Sequence, residues 1–229
     1  MRDDFTKTAQ NNGYKNKYLE KSGLSIIKPH QAYDRFRNRV IFPIHNLTGK
    51  VTGFGARLLT NEKNKPKYLN SPESEIYNKS QILYGIYFAK SEMVREDKCL
   101  LVEGYTDVIS LYQSGIKNVV ASSGTSLTED QIRLIRRYTQ NITILYDGDA
   151  AGLKASFRGI DMILGQGMNV KIVLFPDGED PDSYATGHSS TETKAYIEAQ
   201  AQDFIRFKSK LLFRENSDDP TARANAIEE

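Results

Sequence analysis

The stretch Cys99–Gln113 reads CLLVEGYTDVISLYQ: four apolar residues run directly into Glu103-Gly104 and then into a helical pattern. An apolar run without polar alternation suits a strand covered on both faces, as in the middle of a parallel sheet. The spacing predicts a helix over 107–113, stopped by Gly115, and Asn118–Ala121 follows as the next strand. Ser122-Ser123-Gly124-Thr125 then leads to a helix opened by a capping box, Thr128 with Gln131 three residues on. That helix ends in Arg136 and Arg137, which favour its negative end. Ile142–Tyr146 is a third strand and Asp147-Gly148-Asp149 follows it. Leu153, Phe157, Ile160 and Leu164 form a stripe at helical spacing, Gly165 and Gly167 end it, and Val170–Phe175 is a fourth strand. The rhythm is βαβαβαβ, an α/β unit with a largely parallel sheet flanked by helices.

Working outward, Arg39–Pro43 and Lys50–Leu59 are short apolar runs around Asn46-Leu47-Thr48-Gly49 and read as a β-hairpin. Residues 1–33 are polar, with one short helix expected around Lys15–Ser22. Asn61–Glu75 reads as a long polar loop and Tyr87–Glu96 as a helix. On the far side, Thr191–Phe213 is helical in pattern, as one helix or two, and Pro220 looks like another start. The last residues stand in mid-pattern, so the expectation is a piece of a longer protein. No internal repeat is present.

Composition narrows the function classes. Of 229 residues, 39% are apolar and 26% charged, the balance of an ordinary globular chain. No run approaches the ~20 apolar residues of a membrane span, and the polar first twenty residues contain no secretory segment. A cytoplasmic protein without membrane contact is expected. One cysteine, Cys99, excludes an internal disulfide framework and reads as inert core; with three histidines it also excludes a Cys/His zinc finger within the chain. The charge is uneven: residues 1–98 carry 18 Lys and Arg against 10 Asp and Glu, whereas residues 99–229 carry 13 against 19. A basic half joined to an acidic half suggests an anion-holding surface beside a cation-holding one.

The acidic groups fall at equivalent places. Glu103 follows the first strand, Asp147 and Asp149 the third, and Asp180 and Asp182 lie just past the fourth. Ligands of open parallel sheets gather at the carboxyl ends of strands, so these carboxylates can converge. Mutual repulsion would raise their pKa values, and a divalent cation removes that cost. Mg²⁺ takes one or two protein carboxylates, keeps waters and accepts substrate phosphates, which suits metal-assisted phosphoryl chemistry. Asp149 reads equally well as a helix N-cap, and the Asp177–Asp182 stretch as a turn.

The cations are less specific. Arg35, Arg37 and Arg39 alternate, so in an extended segment they share one face, either for phosphates or as a solvated strand edge. Lys63, Lys65 and Lys67 read as solubility charge or as phosphate contacts. Tyr68 and Tyr77 beside them suit either base stacking or packing. Ser122–Thr125 can hold a phosphate on its amides, but lacks the Gly-Lys-Ser/Thr ending of a P-loop, and a plain strand-to-helix turn is the heavier reading.

In their order along the chain, VEGYTDVISLYQSG, SSGTSLTEDQ, YDGDAAG and LFPDGEDPD resemble the TOPRIM domain of bacterial replicative DNA primases. Upstream, YDRFRNRVIFPI, GKVTGFGARLL and PKYLNSPES with YNKSQILYG resemble the amino-terminal subdomain of the same polymerase core. The likeness covers about residues 30–185. It implies a TOPRIM domain with a largely parallel sheet at 99–185, preceded by a mixed α+β basic subdomain at 1–98 and followed by the start of a helical subdomain at 186–229. The family's catalytic glutamate falls on Glu103, the acid one turn on falls on Asp107, and its paired metal-binding aspartates fall on Asp147 and Asp149. A further acidic pair falls on Asp180 and Asp182. Nucleotide and template cations match Arg57, Lys67 and Lys79, and more loosely Arg35, Arg37 and Arg39.

The resemblance also implies two or more Mg²⁺ or Mn²⁺ ions, NTPs and a single-stranded DNA template. Zinc and the replicative helicase belong to flanking domains not found in this sequence. The expected activity is primer synthesis by a DNA-directed RNA polymerase. The residues leave open another TOPRIM enzyme of topoisomerase or nuclease type, a noncatalytic DNA-binding fragment, and whether Glu103 is metal ligand or general base.

Overall fold

The computed structural model describes residues 3–60, 64–124, 126–147 and 150–215. The chain opens with α1 (Asp4–Asn11) and α2 (Asn16–Lys21), then an antiparallel pair, β1 (Ser25–Lys28) and β2 (Gln31–Asp34). α1 and this pair are absent from the sequence expectation. The N-terminus of α1 is satisfied from a distance: the Asp34 carboxylate accepts the amides of Phe5 at 3.0 Å and Thr6 at 2.8 Å. A cap 28 residues away leaves no local signal.

The predicted hairpin forms as β3 (Arg39–His45) and β4 (Val51–Leu58), and β5 (Tyr68–Asn70) adds a third antiparallel strand in the order β3-β4-β5. β5 lies inside the stretch expected to be loop. It is three residues long, too short for a pattern, and exists through its pairing of Gly55 with Asn70, Ala56 with Leu69 and Arg57 with Tyr68. Arg35 and Arg37 are not in an extended segment. They occupy the turn from β2 into β3, where Asn38 adopts φ 55°, so the one-face reading of the three arginines does not hold.

A single 3-10 turn at Lys79–Gln81 and α3 (Ile86–Glu96) lead into the larger unit. Its elements are β6 (Cys99–Val102), α4 (Tyr105–Gln113), β7 (Val119–Ala121), α5 (Glu129–Arg136), β8 (Asn141–Tyr146), α6 (Ala150–Gly165) and β9 (Asn169–Leu174). α7 (Pro181–Gly187), α8 (Ser190–Gln200), β10 (Gln202–Asp203) and α9 (Phe204–Glu215) complete it. The sheet order is β10-β9-β8-β6-β7, with β9, β8, β6 and β7 parallel and the short β10 antiparallel at the edge.

Chain direction across the sheet reverses beside β6, since β7 pairs on one side of it and β8 on the other. That is the switch point where open α/β sheets leave a crevice at the carboxyl ends of their strands. The all-apolar run of β6 has a physical reason. Cys99 and Leu101 pack into the core on one face with Met93, Ile132 and Ile160. Leu100 and Val102 pack on the other with Val108, Leu111 and Phe175.

The two sheets meet along a seam. Tyr84 exchanges backbone hydrogen bonds with Ala121 of β7, 2.9 Å and 3.1 Å, extending the large sheet with a bridge from the upstream segment. Gln131 of α5 is fully buried, and its Nε2 donates to the carbonyls of Lys79 at 3.0 Å and Ile82 at 2.8 Å. Tyr105, the first residue of α4, belongs by packing to the small sheet's core with Phe42, Ile44 and Tyr77.

Candidate active site

Glu103 and Gly104 link β6 to α4 at the switch point. Glu103 reaches solvent, while partial burial and the neighbouring Asp147 carboxylate raise its pKa above the usual carboxylate range. Asp107 stands one turn into α4, 9% exposed, and its Oδ2 accepts the Gly104 amide at 2.8 Å, capping the helix. Burial pushes this carboxyl up to about 6; the Gly104 bond opposes the shift, and Asp180, Asp147 and Asp182 add to it. Carboxylates from the end of β8 and from α7 therefore act electrostatically on those at the end of β6 and the start of α4.

Asp180 is the N-cap of α7 and accepts the Ser183 amide at 2.7 Å. Asp182 lies in the first turn of α7 and accepts the Ser110 hydroxyl of α4 at 2.5 Å. Asp149, read from the sequence as metal ligand or helix N-cap, lies outside the described residues. Among the described residues no three of His, Cys, Asp or Glu stand close enough to hold a metal ion directly. The donor set is all carboxylate, and its members repel one another across a solvent-reaching crevice. That chemistry fits a hard divalent cation that keeps part of its water shell.

The cations divide. Arg57 of β4 and Tyr68 of β5 are register partners, and the Arg57 guanidinium lies 6.0 Å from the Tyr68 ring centre. Lys67 places its ammonium 6.0 Å from the same ring, so one exposed aromatic has two cations beside it. Lys79 lines a small cleft at the seam with Tyr84, Ser122 and Ser123. Arg37 lies 4.6 Å from the Tyr33 ring of β2. Arg39 is structural: its guanidinium donates to the carbonyls of Pro66 and Lys67, 2.8 Å and 3.1 Å, and pins the approach to β5. Lys63 lies outside the described residues. Tyr77 is 3% exposed and packed in the core, so of the two candidate stacking tyrosines only Tyr68 is accessible.

Residues 1–90 match the family model of the DNA primase catalytic core, N-terminal domain, and residues 100–185 match the Toprim-like model. A solved structure of the DnaG primase catalytic domain bound to ssDNA is 38% identical, with a TM-score of 0.85, covering 99% of this chain and 74% of that one. A DNA primase domain from Pseudomonas aeruginosa is 38% identical with a TM-score of 0.84, covering 94% and 68%. The chain belongs to the DnaG-type DNA primase family. Among curated relatives, the DNA primase of Clostridium acetobutylicum is 50% identical over 172 residues, and that of Halalkalibacterium halodurans 46% identical over 182. The chain spans less than a third of their length, 28% and 30%.

Within this primase core several contacts had no signal of their own in the sequence. Ser110 orients Asp182 from a helix 72 residues earlier, and Gln131 fixes the backbone that carries Lys79. Gln131 is visible as half of a capping box, but its grip on the seam is not. No helix among the described residues is long and apolar enough to cross a membrane.

Proposed function

We propose that this chain is the catalytic core of a primase, a DNA-directed RNA polymerase that makes short RNA primers on single-stranded DNA by nucleotidyl transfer. The observation that supports this reading is the mutual influence of carboxylates from three elements, Asp147 on Glu103 and Asp180, Asp147 and Asp182 on Asp107, beside a small sheet tied to the same loop through the Tyr105–Asn70 bond. Its organisation is a basic subdomain at 1–98 and a TOPRIM unit at 99–185, followed from 186 by a largely helical part that packs back on the same sheet through β10 and Phe204. In the reaction a primer 3′-hydroxyl attacks the α-phosphate of an NTP and pyrophosphate leaves.

Glu103, Asp147 and Asp149, with Asp107, Asp180 and Asp182, would hold two or more Mg²⁺ or Mn²⁺ ions, which when bound polarise the α-phosphate and neutralise the triphosphate. Glu103 would act either as a metal ligand or as the base that accepts the proton of the attacking hydroxyl. Asp107 holds the first turn of α4 through Gly104 and thereby orients the loop that presents Glu103. Arg57, Lys67 and Lys79 would bind the phosphates of template or NTP, and the Tyr68 face would stack on a base. A helicase contact would belong to sequence beyond this core.

The test is incubation with labelled NTPs, single-stranded DNA and Mn²⁺ or Mg²⁺. Short RNA products are expected with wild type and none with Glu103→Gln. Equal product from both would overturn the reading.

A further inference from the structure

The hydroxyl of Tyr105 donates to Asn70 Oδ1 at 2.8 Å, and Nδ2 of the same amide donates to the Ser123 carbonyl at 3.0 Å. Ser123 in turn donates its own backbone N–H to the carbonyl of Glu103 at 3.1 Å. Asn70 ends β5, two residues after Tyr68 in the basic sheet. Tyr105 begins α4, two residues after Glu103. Ser123 lies in the loop after β7. One amide side chain thus closes a hydrogen-bonded ring that runs from the small sheet through the loop after β7 to the loop after β6 that carries Glu103.

The ring is built with little slack. Tyr105 is 2% exposed, stacked on Phe42 at 4.9 Å with 4° between planes, and meets the Tyr84 ring edge at 4.7 Å. A Cβ on Gly55 would come within 2.2 Å of the Tyr105 ring, so β4 is shaped around it. Ser123 adopts φ 59°, a left-handed conformation that is unfavourable for a non-glycine residue and persists where the surroundings hold it. Its N–H is held by Glu103 and its carbonyl by Asn70. Asparagine suits the position because it accepts from a phenol and donates to a carbonyl at once. Burial also raises the pKa of the Tyr105 phenol well above its ordinary value, so the phenol keeps the proton it donates.

We propose that Tyr105 and Asn70 form a latch across the seam that sets where Glu103 and the Ser122–Gly124 loop stand relative to Arg57 and Lys67, making Tyr105 a positioning residue for nucleotidyl transfer. The catalytic part rests on the function proposed above. Tyr105 itself is too buried to touch a substrate. Its leverage comes from the steepness of reaction rates with placement, where a shift of about 1 Å costs on the order of a hundredfold.

The test uses Tyr105→Phe, which keeps the ring and removes the hydroxyl, and Asn70→Asp, which keeps the acceptor and loses the donor to Ser123. The first readout, on the 229-residue chain, needs no activity: amide exchange at Ser123. It is expected to speed at least tenfold in both variants, with β6 and β8 amides as protected as in wild type. The second is primer synthesis with Mn²⁺, where Tyr105→Phe should lower kcat about tenfold while KM for NTP and affinity for single-stranded DNA stay within twofold.

Wild-type exchange at Ser123 in Tyr105→Phe would overturn the latch. Loss of protection throughout β6 and β8, or a KM that rises as kcat falls, would overturn a positioning role in favour of a merely structural one. If wild type makes no primer while Ser123 exchange responds as expected, the latch stands and its catalytic role fails with the function reading.

Discussion

Asp107 Oδ2 accepts the Gly104 amide at 2.8 Å, a bond that favours the carboxylate, yet its pKa is raised from 3.8 to about 6. Burial outweighs the bond, and Asp180, Asp147 and Asp182 reinforce burial. The folded state therefore binds more protons than the unfolded one between those two values. The stability this group contributes is complete below about pH 4 and lost as pH rises through about 6, about 3 kcal/mol in all. Asp107→Asn keeps a carbonyl for Gly104 and drops the charge. In a chelator, melts from pH 4 to 8 should show the variant gaining on wild type as pH rises from about 4 to about 6 and the difference levelling off above that. A constant difference in Tm across that range would contradict the assignment.

The same crowding predicts the response to metal. Glu103 and Asp107 are both raised partly by neighbouring carboxylates, a penalty that a divalent cation relieves. Mn²⁺ at a hundredfold excess over its dissociation constant should stabilise the native state by about 2.7 kcal/mol. Asp147→Asn with Asp149→Asn should remove most of that gain. Calorimetry at matched Mn²⁺ concentrations measures it, and an unchanged rise in Tm in the double variant would place the ion elsewhere.

The seam makes a mechanical prediction. Gly55→Ala puts a methyl against the Tyr105 ring at 2.2 Å, and Phe42 and Tyr84 leave that ring no room to retreat. Overpacking of this kind costs about 1–3 kcal/mol. Urea denaturation should show a lower midpoint at an unchanged m-value, and a wild-type midpoint would mean that the ring has freedom the packing denies it.

The parallel unit was legible because its signals are local and repeated: CLLV, ITILY and the glycine stops mark strands and helices wherever they occur. The acids could be placed together from sequence because they follow strands of one sheet, and topology gathers strand ends. The small sheet was less legible because β5 and α1 depend on distant partners, the register against β4 and the Asp34 carboxylate. The arginine triplet misled for a related reason. Alternation implies a shared face only in an extended chain, and Asn38 turns this one. Tyr105 and Asn70 sat inside recognised motifs, but their bond joins residues 35 apart across two subdomains.

Holding DNA and doing chemistry should separate by mutation, because the basic sheet and the acidic crevice are different surfaces joined at the seam. Lys67→Ala removes one cation beside Tyr68 and leaves the acids intact. For single strands the logarithm of affinity falls with the logarithm of salt at roughly 0.7 per neutralised phosphate, so one lost contact should flatten the slope by about that amount. Glu103→Gln removes a charge and almost no volume at the crevice. It should abolish primer synthesis with DNA affinity equal to wild type or slightly higher, since a negative charge near the phosphates is gone. Fluorescence anisotropy across a salt series and gel analysis of labelled products measure the two effects. An unchanged slope in Lys67→Ala would remove that residue from the template path, and wild-type primer yield from Glu103→Gln would remove the glutamate from the chemistry.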